Sequence, residues 1–231
     1  MPQPRALMLF AAGFGTRMGA LTRGRPKPLI EVAGRALLDH ALAQAAGVPL
    51  DRIVVNLHYL PDQIRAHLHD RAGITFSDEQ PEILETGGGL RAARPLLGPD
   101  PVFVMNTDGV WTGENPLQQL AAAWDPARMD ALLLLLPAGD FTGHRGTGDF
   151  VLAPDGRLAR AAGRPGHSYI GAHVTRTDLL AAYPQTAFSL NLFWDDAIAR
   201  GRAYGLVHRG GCADVGRPDG IAEAERLLAD V

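Results

Sequence analysis

Leu7-Met8-Leu9-Phe10-Ala11-Ala12-Gly13-Phe14-Gly15-Thr16-Arg17-Met18 runs from an uninterrupted apolar stretch into a glycine loop and then a basic residue. A short apolar run ended by closely spaced glycines reads as a buried strand, here Leu7–Ala11, followed by a turn whose backbone N–H groups can wrap an anion. Downstream lies Arg25-Pro26-Lys27-Pro28-Leu29, which holds the only lysine; every other basic side chain among the 22 is arginine. The flanking prolines restrict the backbone around Lys27. Its ammonium is a compact point charge, whereas a guanidinium is a broad planar fork. A strand, a glycine loop, an arginine and a proline-held lysine together read as a cradle for nucleotide phosphates.

Outward from this stretch, apolar runs alternate with amphipathic ones, as in a layered βαβ sheet. The pattern predicts strands at Leu7–Ala11, Ile53–Asn56, Ile74–Ser77, Val102–Asn106 and Ala131–Leu136. It predicts helices at Ala36–Ala46, Pro61–Asp70, Gly88–Ala93 and Leu117–Ala123. In the first of these, Leu37, Leu38, Ala41, Leu42 and Ala45 recur at the spacing of one buried helix face. Beyond about residue 140 the segments shorten: Gly148–Leu152, a turn at Pro154-Asp155-Gly156, Tyr169–Val174, and strands at Ala203–His208 and Cys212–Val215. Helices are expected near Ser189–Arg200 and Asp219–Ala229. No linker-like stretch and no internal repeat interrupts the chain, so residues 1–231 read as a single domain.

Composition narrows the possibilities. A chain of 231 residues, 46% hydrophobic and 20% charged, suits a globular enzyme with a substantial core. A formal net charge of -3 argues against a nonspecific nucleic-acid binder, so any anion site must be local. One cysteine, Cys212, excludes an internal disulfide and suits a reducing compartment. Neither the amino-terminal segment nor the apolar run at Ala131–Leu136 is long enough for a signal peptide or membrane span. A cytoplasmic protein is expected.

The glycine loop fails two common nucleotide motifs. For a dinucleotide fingerprint the third glycine position is Met18, and the second strand ends in Asn56 rather than an acidic residue. No Gly-Lys-Ser/Thr follows, so it is not an ATPase phosphate loop. Ala11-Ala12-Gly13-x-Gly15-Thr16-Arg17-Met18, Leu21-Thr22, Pro26-Lys27-Pro28-Leu29 and Val32-Ala33-Gly34 resemble the signature of sugar-1-phosphate nucleotidylyltransferases. The likeness runs over nearly the whole chain and is densest in this amino-terminal part. One departure is Ala20, where the family usually has proline. The resemblance implies a Rossmann-like three-layer α/β/α sandwich with a mixed, mostly parallel central sheet. It also implies a nucleotide-binding half (1–135) and a sugar-binding half (136–231); the hexapeptide repeats of a β-helix are absent, so no carboxy-terminal β-helix is expected.

Such a reaction joins two polyanions and needs a divalent cation; Mg²⁺ takes one or two carboxylates and leaves its other positions to phosphate and water. Asp108 in Asn106-Thr107-Asp108 and Asp214 in Asp214-Val215-Gly216 fall where the family places its metal ligands. Around Asp214 this chain departs from the pattern, with Cys212 and Arg217 in place of tryptophan and threonine. By the same resemblance, Ala11, Ala12, Gly13, Gly15 and Thr16 cradle the triphosphate, Arg17 holds its β/γ-phosphates, and Lys27 neutralises charge at the α-phosphate. The glycines in Leu84-Glu85-Thr86-Gly87-Gly88-Gly89 permit close backbone approach, so Gly87 and Gly88 are expected at the nucleotide. Glu79 and Glu85 are candidates to accept hydrogen bonds from base or sugar, Glu79 being assigned to the nucleotide. Asp149, Tyr169, Gly171 and Asn191 fall where family members contact the sugar, and Trp111 is a candidate to stack on its ring.

The eight histidines form no ligand constellation, and no Ser-His-Asp arrangement is evident. None is needed, because the nucleophile is a phosphate whose second pKa is about 6. Within the family, the Ala-Ala before the loop, the Leu-Glu-Thr-Gly-Gly-Gly segment and Gly148-Asp149-Phe150 resemble the N-acetylmuramate-1-phosphate uridylyltransferases of cell-wall recycling. That implies UTP and N-acetylmuramate-1-phosphate as partners. The mannose-1-phosphate guanylyltransferases, with GTP, are the alternative; their larger purine needs space that Ala12 occupies. A nucleotide-sensing subunit without turnover is a different class, against which intact Arg17, Lys27, Asp108 and Asp214 weigh. A monomer or small homo-oligomer is expected.

Overall fold

The computed structural model describes residues 3–230. In chain order the first half holds β1 (Ala6–Phe10), β2 (Glu31–Val32), β3 (Arg35–Ala36), α1 (Leu37–Ala45), β4 (Arg52–Leu57), α2 (Pro61–His67), β5 (Ile74–Asp78), α3 (Glu85–Leu97), β6 (Val102–Asn106), β7 (Gly109–Trp111) and α4 (Pro116–Ala123). There follow β8 (Ala131–Pro137), β9 (Phe141–Thr142), β10 (Phe150–Leu152), β11 (Leu158–Arg160), β12 (His167–Thr175), α5 (Leu190–Ala199), β13 (Ala203–Val207), β14 (Cys212–Asp214) and α6 (Asp219–Ala229).

The main sheet runs β5-β4-β1-β6-β12-β8-β13, with the β10–β11 hairpin joined at the start of β12. β1 is parallel to β4 and β6, β4 to β5, and β8 to β13. Within that run only β12 is reversed, antiparallel to both β6 and β8. The sheet is therefore mixed and mostly parallel, as the resemblance implies.

Period-two alternation explains the layers. Leu7 and Leu9 of β1, Phe103 and Met105 of β6, and Leu132, Leu134 and Leu136 of β8 enter one core with α1, α2 and α4 residues such as Leu38, Ile64 and Leu117. Ala6 and Met8, Val102 and Val104, and Leu133 and Leu135 enter the opposite core with Leu90 and Ala93 of α3 and Phe193 and Trp194 of α5. Both faces are covered, so the strands read as continuous apolar runs. A smaller sheet, β7-β14-β9, packs with α6 over a third core that includes Met18, Ile30, Val110 and Val215.

The helix expected over Gly88–Ala93 instead spans Glu85–Leu97, taking in all three glycines and Pro95. Tertiary bonds override the low helix propensity of glycine here: the Gly87 and Gly88 amides both donate to the Phe188 carbonyl. β7 was not expected; three residues are too few to show a period, and it is paired by β14 from far along the chain. Because β1, β4, β5 and β6 are parallel, their carboxyl ends lie on one edge, where the loops that follow them converge.

Candidate active site

The loop after β1 and the Lys27 segment pack directly on each other. Gly15 takes φ +63°, and a Cβ there would stand 2.9 Å from both Lys27 Cβ and Thr22 Cγ2. Only glycine meets both demands. The Thr22 hydroxyl donates to the Gly15 carbonyl at 3.0 Å, and Tyr59 Oη donates to the Thr22 carbonyl at 2.8 Å. Thr16–Thr22 winds as tight 3₁₀ turns that leave Arg17 exposed.

Lys27 Nζ donates to Asp108 Oδ2 at 2.8 Å, with the two side chains 13% and 29% exposed. This ion pair stands where two hollows meet. The first, of about 300 Å³, is lined by the expected loop residues Ala11, Ala12, Gly13, Gly15, Thr16 and Arg17, by Lys27 and Asp108, and by Glu79, Glu85 and Thr86. The second, of about 180 Å³, is lined by Tyr169, Ile170, Gly171, Phe141, His144 and Asp214, and shares Arg17, Asn106 and Asp108 with the first.

Asp214 is mostly buried, and that burial together with Asp108 raises its carboxyl above the usual range; Lys27, Arg17 and His144 pull the other way. Gly216 leaves room for this carboxylate, since a Cβ there would come within 2.8 Å of Asp214 Oδ2. Two carboxylates that line one hollow, with a lysine ammonium to relieve their charge, suit a hard cation. Among the described residues no group of three or more His, Cys, Asp or Glu could hold a metal. Such a sparse donor set fits Mg²⁺, which keeps phosphate and water ligands, and would not fit a zinc site.

Glu79 lines the first hollow but is only 1% exposed. Its Oε1 accepts from Asn56 Nδ2 at 2.7 Å and its Oε2 from the Leu84 amide at 2.7 Å. Asn56 Oδ1 in turn accepts from the Ala11 amide at 2.7 Å. The carboxylate thus ties the glycine loop to the entry of α3. Glu85, exposed in the same hollow, takes the left-handed φ +58°, a strained backbone for a side-chain-bearing residue.

Several expected contacts go elsewhere. Gly87 and Gly88 are buried against Phe188 and the Thr186–Ala187 backbone. Their amides are spent on Phe188, so Glu85 and Thr86 face the hollow instead. Trp111 is 6% exposed within the first core and lines neither hollow. Asp149 Oδ2 accepts from the Tyr169 amide at 3.0 Å, and Asn191 Oδ1 accepts from Arg160 at 2.9 Å; neither residue lines either of these two hollows. Tyr169 and Gly171 do. Asn56, Thr86 and His144 were not anticipated. His144 stacks on Phe141 at 5.2 Å in a glycine-rich loop that carries no periodic signal.

Known proteins give the arrangement a context. A sequence model described as the MobA-like NTP transferase domain matches residues 7–185. The N-acetylmuramate alpha-1-phosphate uridylyltransferase of Caulobacter vibrioides is 40% identical, over 98% of this chain and 98% of its own length. The enzyme of the same description from Neisseria meningitidis is 31% identical over 95% of this chain and 96% of its own. A mannose-1-phosphate guanyltransferase of Aspergillus fumigatus is 36% identical, but over 49% of this chain and 32% of its own. The crystal structure of a UDP-glucose pyrophosphorylase complexed with UDP-glucose superposes with a TM-score of 0.79, covering 98% of this chain and 99% of that one at 13% identity, a likeness of fold.

Proposed function

We propose UTP and N-acetylmuramate-1-phosphate as the substrates of this chain, which belongs to the MobA-like NTP transferase family and is a sugar-1-phosphate nucleotidyltransferase. The observation that carries the mechanism is the Lys27–Asp108 pair at the junction of two hollows. The first hollow takes the nucleotide and the second the sugar phosphate, so the reacting phosphates meet at Lys27, Arg17 and Asp108.

A phosphate oxygen of the sugar substrate forms a new bond to the α-phosphorus of UTP, while the α–β bridging bond breaks and pyrophosphate leaves. The attacking phosphate is already largely ionised at neutral pH, so no side chain need remove a proton. The protein positions and neutralises. The amides from Ala11 to Thr16 cradle the triphosphate, and Arg17 meets the phosphates that depart. Lys27 stays beside the α-phosphate, where negative charge builds. Asp108 and Asp214 would hold Mg²⁺, which when bound supplies charge neutralisation for the phosphate oxygens. Glu79, in the wall of the first hollow, positions the loop through Asn56.

The uridine preference rests on the two full-length relatives and on the buried Ala12 at the nucleotide hollow, where a purine needs more room. The proposed site of the reaction is the cytoplasm, where nucleoside triphosphates are available. Pyrophosphate release across a panel of sugar-1-phosphates and nucleoside triphosphates tests the reading. The fastest pair should be UTP with N-acetylmuramate-1-phosphate. Tighter binding of GTP than UTP by titration calorimetry would overturn the uridine preference, and silence across every pair would leave a nucleotide sensor.

A further inference from the structure

β12 changes register against β8 between Tyr169 and His173. Inside this irregularity Gly171 takes φ +84°, and a Cβ there would meet Asn106 Cβ at 3.1 Å. The irregular segment therefore presses its backbone onto Asn106, a residue shared by both hollows. Such bulges re-aim neighbouring side chains, and here they set the wall of the second hollow formed by Tyr169, Ile170 and Gly171.

One hydrogen bond spans the bulge, between Tyr169 Oη and His173 Nδ1 at 2.7 Å. Tyr169 lines the hollow, whereas His173 is fully buried behind it. Burial lowers His173 to about 3 and pushes the Tyr169 phenol well up, so near neutral pH the imidazole is uncharged and the phenol keeps its proton. The consistent assignment is a phenol that donates to Nδ1. Trp194 packs edge-on against both rings, with centroids 5.0 Å from Tyr169 and 5.5 Å from His173.

Among the described residues His173 Nε2 has no hydrogen-bond partner. A buried polar atom left unsatisfied costs folding stability, and an aliphatic side chain would fill the same space without that cost. Packing alone does not account for an imidazole here; the bond to Tyr169 does.

We propose that His173 is a positioning residue: by accepting the Tyr169 hydroxyl hydrogen it pins the β12 bulge and so fixes the Tyr169 ring and Gly171 backbone that face the sugar-1-phosphate. The identity of that ligand rests on the assignment of the second hollow above. His173 does not touch substrate. Its effect passes through Tyr169, and the nucleotide hollow is not lined by either residue.

The test is steady-state kinetics with His173→Leu, His173→Asn and Tyr169→Phe, alongside thermal unfolding. His173→Leu should raise KM for the sugar-1-phosphate about tenfold, the equivalent of one hydrogen bond. Its kcat and its KM for UTP should stay within about threefold. Asn presents an acceptor near the Nδ1 position, so His173→Asn should recover most of the loss. Tyr169→Phe, which leaves the core imidazole in place, should match His173→Leu, and the double variant should lose no more than either single one. An unchanged sugar KM in His173→Leu, or no recovery in His173→Asn, overturns the proposal. If the wild-type protein turns over no substrate pair, the reaction reading has failed, and histidine ¹⁵N NMR still decides the clamp. His173 Nδ1 should then read as an unprotonated, hydrogen-bonded nitrogen whose signal moves in Tyr169→Phe; an unmoved signal overturns it.

Discussion

Lys27 holds Asp108 at 2.8 Å in a position that a triphosphate and a divalent cation would each contest. Its Cβ lies against the place where Gly15 lacks a side chain, so the lysine leaves the backbone packed closely on the glycine loop. Lys27→Ala should lower kcat by about 10²–10³, the range for removing one preorganised electrostatic donor. Lys27→Arg keeps the charge but must fit a wider planar head against Asp108; a kcat equal to wild type would show that no narrow slot exists. Asp108→Asn should abolish metal-dependent turnover, with circular dichroism showing the fold intact. An active Asp108→Asn variant would remove the metal assignment.

In α3 the opening glycines serve the fold. A Cβ on Gly88 would overlap the Thr186 carbonyl oxygen and stand 3.3 Å from Ala187 Cα. Within a helix, alanine in place of glycine gains at most about 1 kcal/mol, whereas overpacking against backbone costs about 1–3 kcal/mol. The clash should win. Gly88→Ala should destabilise the protein by about 1–2 kcal/mol in urea unfolding, and a more stable variant would show that the 186–188 segment yields. The glycine run was legible as a place of close approach, but not what approaches it. That partner, the segment around Phe188, lies a hundred residues away along the chain. The same holds for β7, recognisable only through its pairing with β14.

For the molecule as a whole, His173 links folding to pH. Its folded-state pKa of about 3 lies below the ordinary value of 6.5, so the unfolded chain binds the proton first. Stability from this group is present above about pH 6.5 and is lost as pH falls toward 3, at up to about 1.4 kcal/mol per pH unit. His208, lowered mainly by its burial, adds in the same direction. Urea unfolding at pH 7.5 and 5 should show the wild type losing more stability than His173→Asn, and equal losses would contradict a buried neutral imidazole. The sequence by itself determined the layered α/β class, because periodicity is written in residues close together along the chain, and its motifs brought forward the glycine loop, Lys27, Asp108 and Asp214 as candidates. Only the tertiary structure decided that Glu79 is spent on Asn56 and Leu84 while Glu85 faces the cleft, that Trp111 is core, and that His173 stands behind Tyr169. Those outcomes depend on which distant segment supplies each hydrogen-bond partner and which side chain is left without solvent, and chain folding alone makes those choices.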